Sequence, residues 1–208
     1  MIAEQQRGTN AAAAISAPAV LMPPFTPPEI AAQLDAMSAA ARLKTVMRLG
    51  RKQLAPLFEA AAVNPPLRLD DMVPADTPAL VEVIHEGKNS LPLFTRFQKR
   101  FCRPPAAMNG AHELWGYNHQ WYGAATGPGY FVCHHQDNGE LAVDYYRVPP
   151  DRPPTWPAII PNSARLSRFI YYRMVDVIRR ISRHVVIGRA FKRGKPFDAW
   201  FALVRPER

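Results

Sequence analysis

Residues 163–184 read SARLSRFIYYRMVDVIRRISRH, and this stretch decides the predicted fold. At about 100° per residue, its apolar side chains fall on one arc and its basic and polar side chains on the opposite arc. The apolar arc holds Leu166, Ile170, Met174, Val177, Ile178 and Ile181, and the outer arc holds Arg165, Arg168, Tyr172, Asp176, Arg179, Arg180 and Arg183. Asn162 or Ser163 can cap the first turn through its side-chain oxygen. The pattern predicts one long amphipathic helix with a cationic outer face.

Hairpins are predicted on both sides of this helix. Before it, residues 130–136 and 140–148 flank Asn138-Gly139, a dipeptide typical of two-residue β-hairpin turns. After it, residues 185–192 and 197–204 flank a second turn. A further strand is predicted where aromatic side chains alternate with smaller ones, over residues 113–121, ELWGYNHQW.

The N-terminal half is predicted to be helical, after a flexible tail over residues 1–25. Thr26 precedes Pro27, and Glu29 follows at capping-box spacing, so a helix should begin here. Further helical patterns cover residues 43–58, 77–87 and 90–101. The helix near residues 42–58 also has a basic face, which is typical of a surface helix and sometimes of one that lies on a membrane.

These elements predict a single α+β domain over residues 26–208. Residues 26–103 form a helical layer beside an antiparallel sheet of about five strands. Residues 112–208 form a hairpin, a helix and a hairpin, with the 163–184 helix across one face of the sheet.

The positive charge of the chain lies in its last quarter. The net charge is +9; residues 1–162 carry 14 basic and 14 acidic side chains, whereas residues 163–208 carry 12 and 3. Such a surface favours anionic partners, including nucleic acid and anionic membranes, although an ordinary solvated surface has the same composition. Cys102 and Cys133 form no disulfide framework, which indicates a reducing, cytoplasmic location. Residues 11–22 leave a cleaved targeting segment open, and no apolar run approaches the ~20 residues of a membrane-spanning helix.

Three residues near the Asn138-Gly139 turn are candidates for catalysis. With a two-residue loop, Asp137 faces Glu140, which places Cys133 opposite Asp144. His135 falls on the same face as Cys133, two residues along the strand. A thiol, an imidazole and a carboxylate on one face are the components of an activated nucleophile. An ordinary solvated sheet face explains the same residues, because side chains at i and i+2 lie about 6.5–7 Å apart.

The aromatic strand is the stronger candidate for ligand binding. An aromatic-lined pocket between helix and sheet suits flat or apolar ligands, and core packing under the helix is the competing interpretation. The candidate ligand-binding residues are Trp115, Tyr117, His119, Trp121 and Tyr145, and the candidate anion-binding residues are Arg165, Arg168, Arg179 and Arg183. No metal site is predicted, since no H-x-x-x-H, H-x-H or C-x-x-C pair occurs.

Three functions follow from these patterns. The first is an intracellular domain that binds a small anionic or aromatic ligand between helix and sheet, with enzymatic activity open and no cofactor indicated. The second is a nucleic-acid-binding or interaction module that uses the basic 163–208 surface. The third is a peripheral membrane protein in which the 42–58 helix and the basic quarter meet anionic lipid.

Overall fold

The chain folds into a closed β-barrel of eight antiparallel strands with short helices packed on its outside. The computed structural model describes residues 25–93, 95–108, 112–120 and 126–207. The strands follow one another around the barrel in chain order, and β8 pairs with β1 to close it. The predicted α+β fold, with five strands and a long helix across one face, is therefore wrong.

The α-helices whose full extent lies within the described residues precede the strands, except for one short helix before β6. The helices are α1 Pro27–Ala36, α2 Ala39–Val46, α3 Arg51–Ala60, α4 Leu69–Met72 and α5 Ser167–Ile170. The strands are β1 Val83–Asn89, β2 Arg96–Cys102, β3 Glu113–His119, β4 Tyr130–His135, β5 Leu141–Asp144, β6 Met174–Arg180, β7 Val185–Lys192 and β8 Lys195–Val204. None of the described helices has the length and apolar composition that crossing a bilayer requires.

The predicted 163–184 helix is the main error, because its centre is strand β6. Both faces of β6 are covered: Ile178 packs inside the barrel, while Val177 and the following Ile181 pack outside against the N-terminal helices. A strand that is buried on two faces needs apolar residues at both parities, so the period of two is lost. Asp176, predicted to lie on the solvated face, is 3% exposed inside the barrel.

The N-terminal helices form an outer layer over one side of the barrel. Leu34, Leu54 and Phe58 pack in one cluster with Ile187 of β7 and Trp200 of β8. The capping prediction is confirmed, since α1 begins at Pro27 and the Glu29 carboxylate accepts from the Thr26 backbone N–H at 2.7 Å. The predicted helical layer over 26–103 ends too late, because the 77–87 and 90–101 patterns contain β1 and β2. Residues 1–24 of the tail predicted over 1–25 lie outside the described residues.

The β4–β5 hairpin is confirmed, but its register differs from the prediction by one residue. Cys133 pairs with Val143, and Asp144 pairs with Val132. The loop holds three residues, 137–139, because the Gln136 N–H donates to the Glu140 carbonyl and Gly139 takes a φ of +82°. A turn that ends in a left-handed glycine adds one residue to the two-residue loop. The β7–β8 hairpin is also confirmed, with Arg193-Gly194 between the paired Lys192 and Lys195.

Side chains fill the interior of the barrel. On three ladders a glycine lies directly across from a phenylalanine, in the pairs Gly87–Phe97, Gly116–Phe131 and Gly188–Phe201. Each ring lies over its glycine so closely that an added Cβ would overlap it. Protein interiors are packed as densely as crystals of small molecules. These rings and the aliphatic side chains around them therefore fill the barrel and form its hydrophobic core.

The two ends of the barrel are formed by different connections. The upper rim comprises the described residues of the connections 90–95, 120–129, 145–173 and 193–194, and Tyr171 packs into the interior there. The lower rim comprises the described residues of 64–82, 103–112, 136–140 and 181–184. There, Leu69, Met72 and Val73 cover the interior. Both ends are thus closed by side chains of the connections.

The glycine–phenylalanine pairs predict a strong response to one small substitution. Gly188→Val should destabilise the fold by about 2–3 kcal/mol, because Phe201 must leave its position and the packed core cannot absorb the added volume. Urea unfolding of the wild type and the variant measures the difference. Gly50→Ala is the control, since its Cβ would meet only the Gln53 side chain at 3.4 Å. Equal stability of Gly188→Val and the wild type would contradict the packing described.

Candidate functional site

A cluster of four polar side chains lies inside the barrel. The Lys99 ammonium of β2 donates to Asn118 Oδ1 at 3.0 Å, to Asp176 Oδ2 at 3.1 Å and to the Tyr145 hydroxyl. Tyr145 in turn donates to Asp176 Oδ2 at 3.2 Å. Asn118 also donates to the Gly129 carbonyl at 3.0 Å. Strands β2, β3 and β6 and the start of the β5–β6 connection therefore meet at one ammonium.

Aromatic rings enclose the same ammonium. The Lys99 nitrogen lies 5.0 Å from the ring centres of Tyr145 and Phe201, 5.1 Å from Phe131 and 5.7 Å from Phe97. Ring faces attract a cation, and the attraction is greater where water is excluded. All three of these phenylalanines, Phe97, Phe131 and Phe201, lie over glycines, so the same packing builds the core and the cation site.

Burial brings the pKa of Lys99 and the pKa of Asp176 closer together. Removal from water lowers the pKa of Lys99, which the nearby Asp176 carboxylate opposes. Burial also raises the pKa of Asp176, against the opposing effect of the ammonium, and raises the pKa of Tyr145. Both charged side chains are at most 5% exposed. The cluster is therefore a buried ion pair whose two charges depend on each other, enclosed by the side chains around it.

The predicted catalytic residues are not brought together. Cys133 points into the barrel, whereas Asp144 pairs with Val132 on the outer face, and His135 is exposed at the lower end of β4. Burial raises the pKa of Cys133 to about 12, so its thiol stays protonated and unreactive at neutral pH. The aspartate lies instead near His134, 3.7 Å from its Nε2. The one-residue change in register separates the thiol from the carboxylate.

An open cleft at the upper rim contains part of the predicted ligand-binding set. It has a volume of about 320 Å³ and lies between the end of β3 and the segment 157–165. Tyr117, His119, Pro157, Ile160 and Arg165 contribute to its walls. Asn118 also lines it, and Asn118 bonds to Lys99, so the cleft lies next to the interior polar cluster.

The electrostatics of the cleft depend on one arginine. Burial lowers the pKa of His119, and the Arg100 guanidinium lowers it further, so the imidazole is neutral at pH 7. Arg165 is exposed and makes no ion pair with another residue in the described part of the chain. The cleft therefore combines the Tyr117 ring, apolar proline and isoleucine surfaces, and a single free guanidinium.

The other predicted ligand-binding residues lie elsewhere. Trp115 is fully buried in an outer cluster with Tyr130 and Trp156, under the 149–161 connection. Tyr145 belongs to the interior, and Trp121 lies outside the described residues. The site predicted between helix and sheet is not formed, because Met174–Arg180 of the predicted helix form strand β6. Of the described members of the predicted set, only Tyr117 and His119 reach the cleft.

The four predicted anion-binding arginines do not share one face. Arg165 and Arg168 lie at the upper rim, whereas Arg183 lies in the 181–184 connection at the lower rim. Arg179 donates to Glu140 Oε1 at 2.7 Å and to the Phe58 carbonyl at 2.9 Å. The antiparallel strands β6 and β7 distribute the basic quarter of the chain over both ends.

Other depressions offer weaker sites. The largest, about 520 Å³ at the lower rim, mixes Asp35, Asp76 and Glu207 with Arg183 and Arg205, so its charges oppose one another. Within the described ranges, no group of three or more His, Cys, Asp or Glu side chains is placed to hold a metal ion.

Comparison with protein-family models, with curated proteins and with solved structures found no match. The functional argument therefore depends on the geometry of the barrel and its rims.

The interior ion pair should be strongly coupled. Lys99→Met and Asp176→Leu should each cost about 3–5 kcal/mol, because each leaves a buried charge without its partner. The double variant should be more stable than either single variant, since it removes both charges. Urea unfolding of all four proteins gives the coupling energy. The exposed pair Arg51–Asp198, taken through the same cycle, should couple by less than about 1 kcal/mol. Additive single effects at Lys99 and Asp176 would show that the pair is not coupled.

His85 should make the fold sensitive to mild acid. Its Nε2–H donates to the Met72 carbonyl at 2.8 Å, and burial lowers its pKa to about 4. Below about pH 6.5 the unfolded chain takes up a proton that the folded chain refuses, so stability falls as the pH drops from about 6.5 to about 4, by about 3 kcal/mol. His85→Gln should remove this part of the pH dependence, whereas the exposed His112→Gln should leave it unchanged. Urea unfolding at several pH values tests both; the same slope in His85→Gln and the wild type would refute the assignment.

Proposed function

We propose that the protein is a cytoplasmic small-molecule-binding barrel whose ligand lies in the upper-rim cleft. The ligand combines a flat or apolar body with an anionic group. The observation that carries the proposal is the cleft itself, where Tyr117 and Ile160 offer apolar surface beside the free guanidinium of Arg165. Its volume of about 320 Å³ lies at the lower end of the range typical of ligand sites. Cys102 and Cys133, both free and buried, support a reducing compartment.

The position of the cleft supports binding at the rim and not inside the barrel. Small barrels hold a ligand only where the interior leaves room, and here Lys99 and its rings occupy the centre. At the rim, the ligand body would contact the Tyr117 side and its anionic group would accept from Arg165. The neutral His119 can donate or accept one hydrogen bond at the same edge.

The backbone at Arg165 gives independent support. Its φ of +51° is unusual for an arginine, and an asparagine or glycine adopts this conformation at lower cost. An arginine kept at this position is consistent with a requirement for its charge.

The test uses naphthoate, an aromatic carboxylate, titrated into the isotope-labelled protein and followed by the backbone amide signals. We expect shifts concentrated at residues 117–120 and 157–165. Arg165→Asn should weaken binding at least about tenfold, because it removes a charge-assisted hydrogen bond. The matched control is Arg193→Asn, which removes the same charge from a left-handed position at the same rim, outside the cleft.

A second variant tests the location without changing charge. Ala158→Phe places a ring in the cleft and should abolish binding, whereas Ala107→Phe, exposed between β2 and β3, should not. Naphthoate binding that survives Ala158→Phe, or shifts that concentrate on another surface, would overturn the proposal.

A further inference from the structure

The basic side chains of the upper rim form a surface without opposing charge. The segments 88–96, 163–173 and 192–197 contain eight basic residues and no acidic residue. They are neighbours around the barrel, because they begin or end strands β6, β7, β8, β1 and β2 in that order. We call these three segments the basic rim. They are Lys88, Arg96, Arg165, Arg168, Arg173, Lys192, Arg193 and Lys195.

The segments of the basic rim are joined to one another by backbone contacts. The Lys192 ammonium donates to the Phe169 carbonyl at 2.6 Å, and the Arg193 N–H donates to the Arg173 carbonyl at 2.8 Å. On the other side, the Ser90 N–H donates to the Trp200 carbonyl at 2.8 Å. The first two bonds join segment 163–173 to segment 192–197, and the third holds Ser90 of segment 88–96 against β8.

The basic rim differs from the rest of the barrel in the pairing of its charges. Away from it, arginines lie against carboxylates, as in the pairs Arg180–Asp71, Arg189–Glu59 and Arg42–Glu207. Within the part of the chain that the structure describes, none of the eight basic-rim residues forms an ion pair. Their charges are therefore available to an anionic partner.

Three arginines of the basic rim hold their charge in a costly backbone conformation. Arg165, Arg173 and Arg193 have φ values of +51°, +58° and +54°. Left-handed backbone costs a residue with a Cβ roughly 1 kcal/mol, and glycine or asparagine usually occupies such positions. The fourth described non-glycine residue with a positive φ is Leu80 at the lower rim, and the two-residue β7–β8 turn requires a positive φ at Arg193.

Exposed apolar side chains lie among these charges. Eleven large apolar side chains are exposed among the described residues, and seven of them are in the segments of the basic rim. Leu93 and Phe169 are the most exposed of the seven, each at 68%. The others are Leu91, Leu166, Ile170, Tyr172 and Phe197.

Arginine and aromatic side chains are paired within this surface. Arg168 lies 5.5 Å from the Phe169 ring centre, and Arg173 lies 5.3 Å from that of Tyr172. A guanidinium beside an aromatic or aliphatic group suits an interface between an apolar phase and a charged, hydrated phase.

We infer that the basic rim docks the barrel on an anionic lipid bilayer, independently of the small ligand. The seven cations other than Arg165, which the proposed ligand uses, meet the headgroups, while Leu93, Phe169 and their neighbours enter the headgroup–acyl boundary. Four of the seven apolar side chains are leucine or isoleucine, which cannot stack on bases, so a lipid surface fits better than nucleic acid. Helices α2 and α3 do not supply this contact, because their apolar side packs on β7 and β8.

Co-sedimentation of the full chain with vesicles tests the proposal. The wild type should sediment with vesicles of phosphatidylcholine and phosphatidylserine and not with phosphatidylcholine alone, and binding should weaken with salt. Arg168→Gln/Lys195→Gln should weaken binding about thirtyfold, since each basic residue near the surface contributes about fivefold. Leu93→Ser/Phe169→Ser should also weaken it. All four substituted side chains are exposed, so the melting temperature should stay unchanged.

The matched control removes the same charge elsewhere. Arg48→Gln/Lys52→Gln changes two exposed basic residues on the helical side of the barrel and should alter vesicle binding less than about threefold. An equal loss in this control, or no preference for the anionic vesicles, would overturn the inference. Salt-dependent binding to an oligonucleotide without binding to the vesicles would also overturn it, in favour of a nucleic-acid partner.

A fluorescent label distinguishes insertion from charge attraction alone. The native Cys102 and Cys133 are buried, so an environment-sensitive fluorophore will react with an introduced cysteine. On the anionic vesicles, a label at Phe169→Cys should shift its emission to shorter wavelength, while a label at Lys52→Cys should not. Similar spectra at the two positions would reject docking through the basic rim.

Discussion

The buried Lys99 ammonium determines which side chains must surround it inside the barrel. A buried cation needs a counter-charge and hydrogen-bond acceptors, and Asp176, Tyr145 and Asn118 supply them from other parts of the sheet. It also needs an apolar surrounding that attracts charge, which the rings of Phe131 and Phe201 provide. Those rings fit only because Gly116 and Gly188 have no side chain where they lie. The polar cluster and the packed core are thus one structure.

Because side chains occupy the centre of the barrel, the candidate binding surfaces lie at its ends. The lower rim is covered by α4 and its neighbours, where Asp71 pairs with Arg180 and Asp70 with Arg103. The upper rim has a cleft and unpaired cations. Strand direction produces this difference, since β6 carries Arg173 at its upper end and Arg180 at its lower end. A block of charge that is continuous in sequence becomes two surfaces with different properties.

The predictions that were confirmed depend on local chemistry. The Thr26–Glu29 capping box, the alternation over residues 113–119 and the two C-terminal hairpins are each decided by a few adjacent residues. The predictions that were wrong concern residues whose structure depends on contacts distant in sequence. The 163–184 pattern resembles a helix because β6 is covered on one side by Phe58 and its neighbours and on the other by the barrel interior. The hairpin register changed because a left-handed Gly139 fits both a two- and a three-residue loop.

The functional residues that sequence reasoning missed have a weak signal. Phe97, Lys99 and Phe101 alternate inward along β2, a period of two that was interpreted as one face of a helix. A single lysine between two phenylalanines is also common on helix surfaces, and its partner Asp176 lies 77 residues away. The cleft combines residues of β3 with residues of the 157–165 segment, and this contact depends on barrel closure. A local sequence pattern therefore cannot predict this contact.

The distribution of apolar surface is the strongest evidence that the two ends have different roles. At the lower rim, Leu69, Met72 and Val73 cover the interior. Stability alone would favour the same apolar cover at both ends of the barrel. Above, Tyr171 turns inward and stacks on Tyr145 at 5.2 Å, while the adjacent Ile170 and Tyr172 face solvent. The β5–β6 connection therefore closes the interior with one side chain and presents its neighbours outward. Exposed apolar groups lower solubility and strained arginines lower stability, and both occur at the same end. Their coincidence at one end of the barrel is the observation from which we infer a partner that is both anionic and apolar.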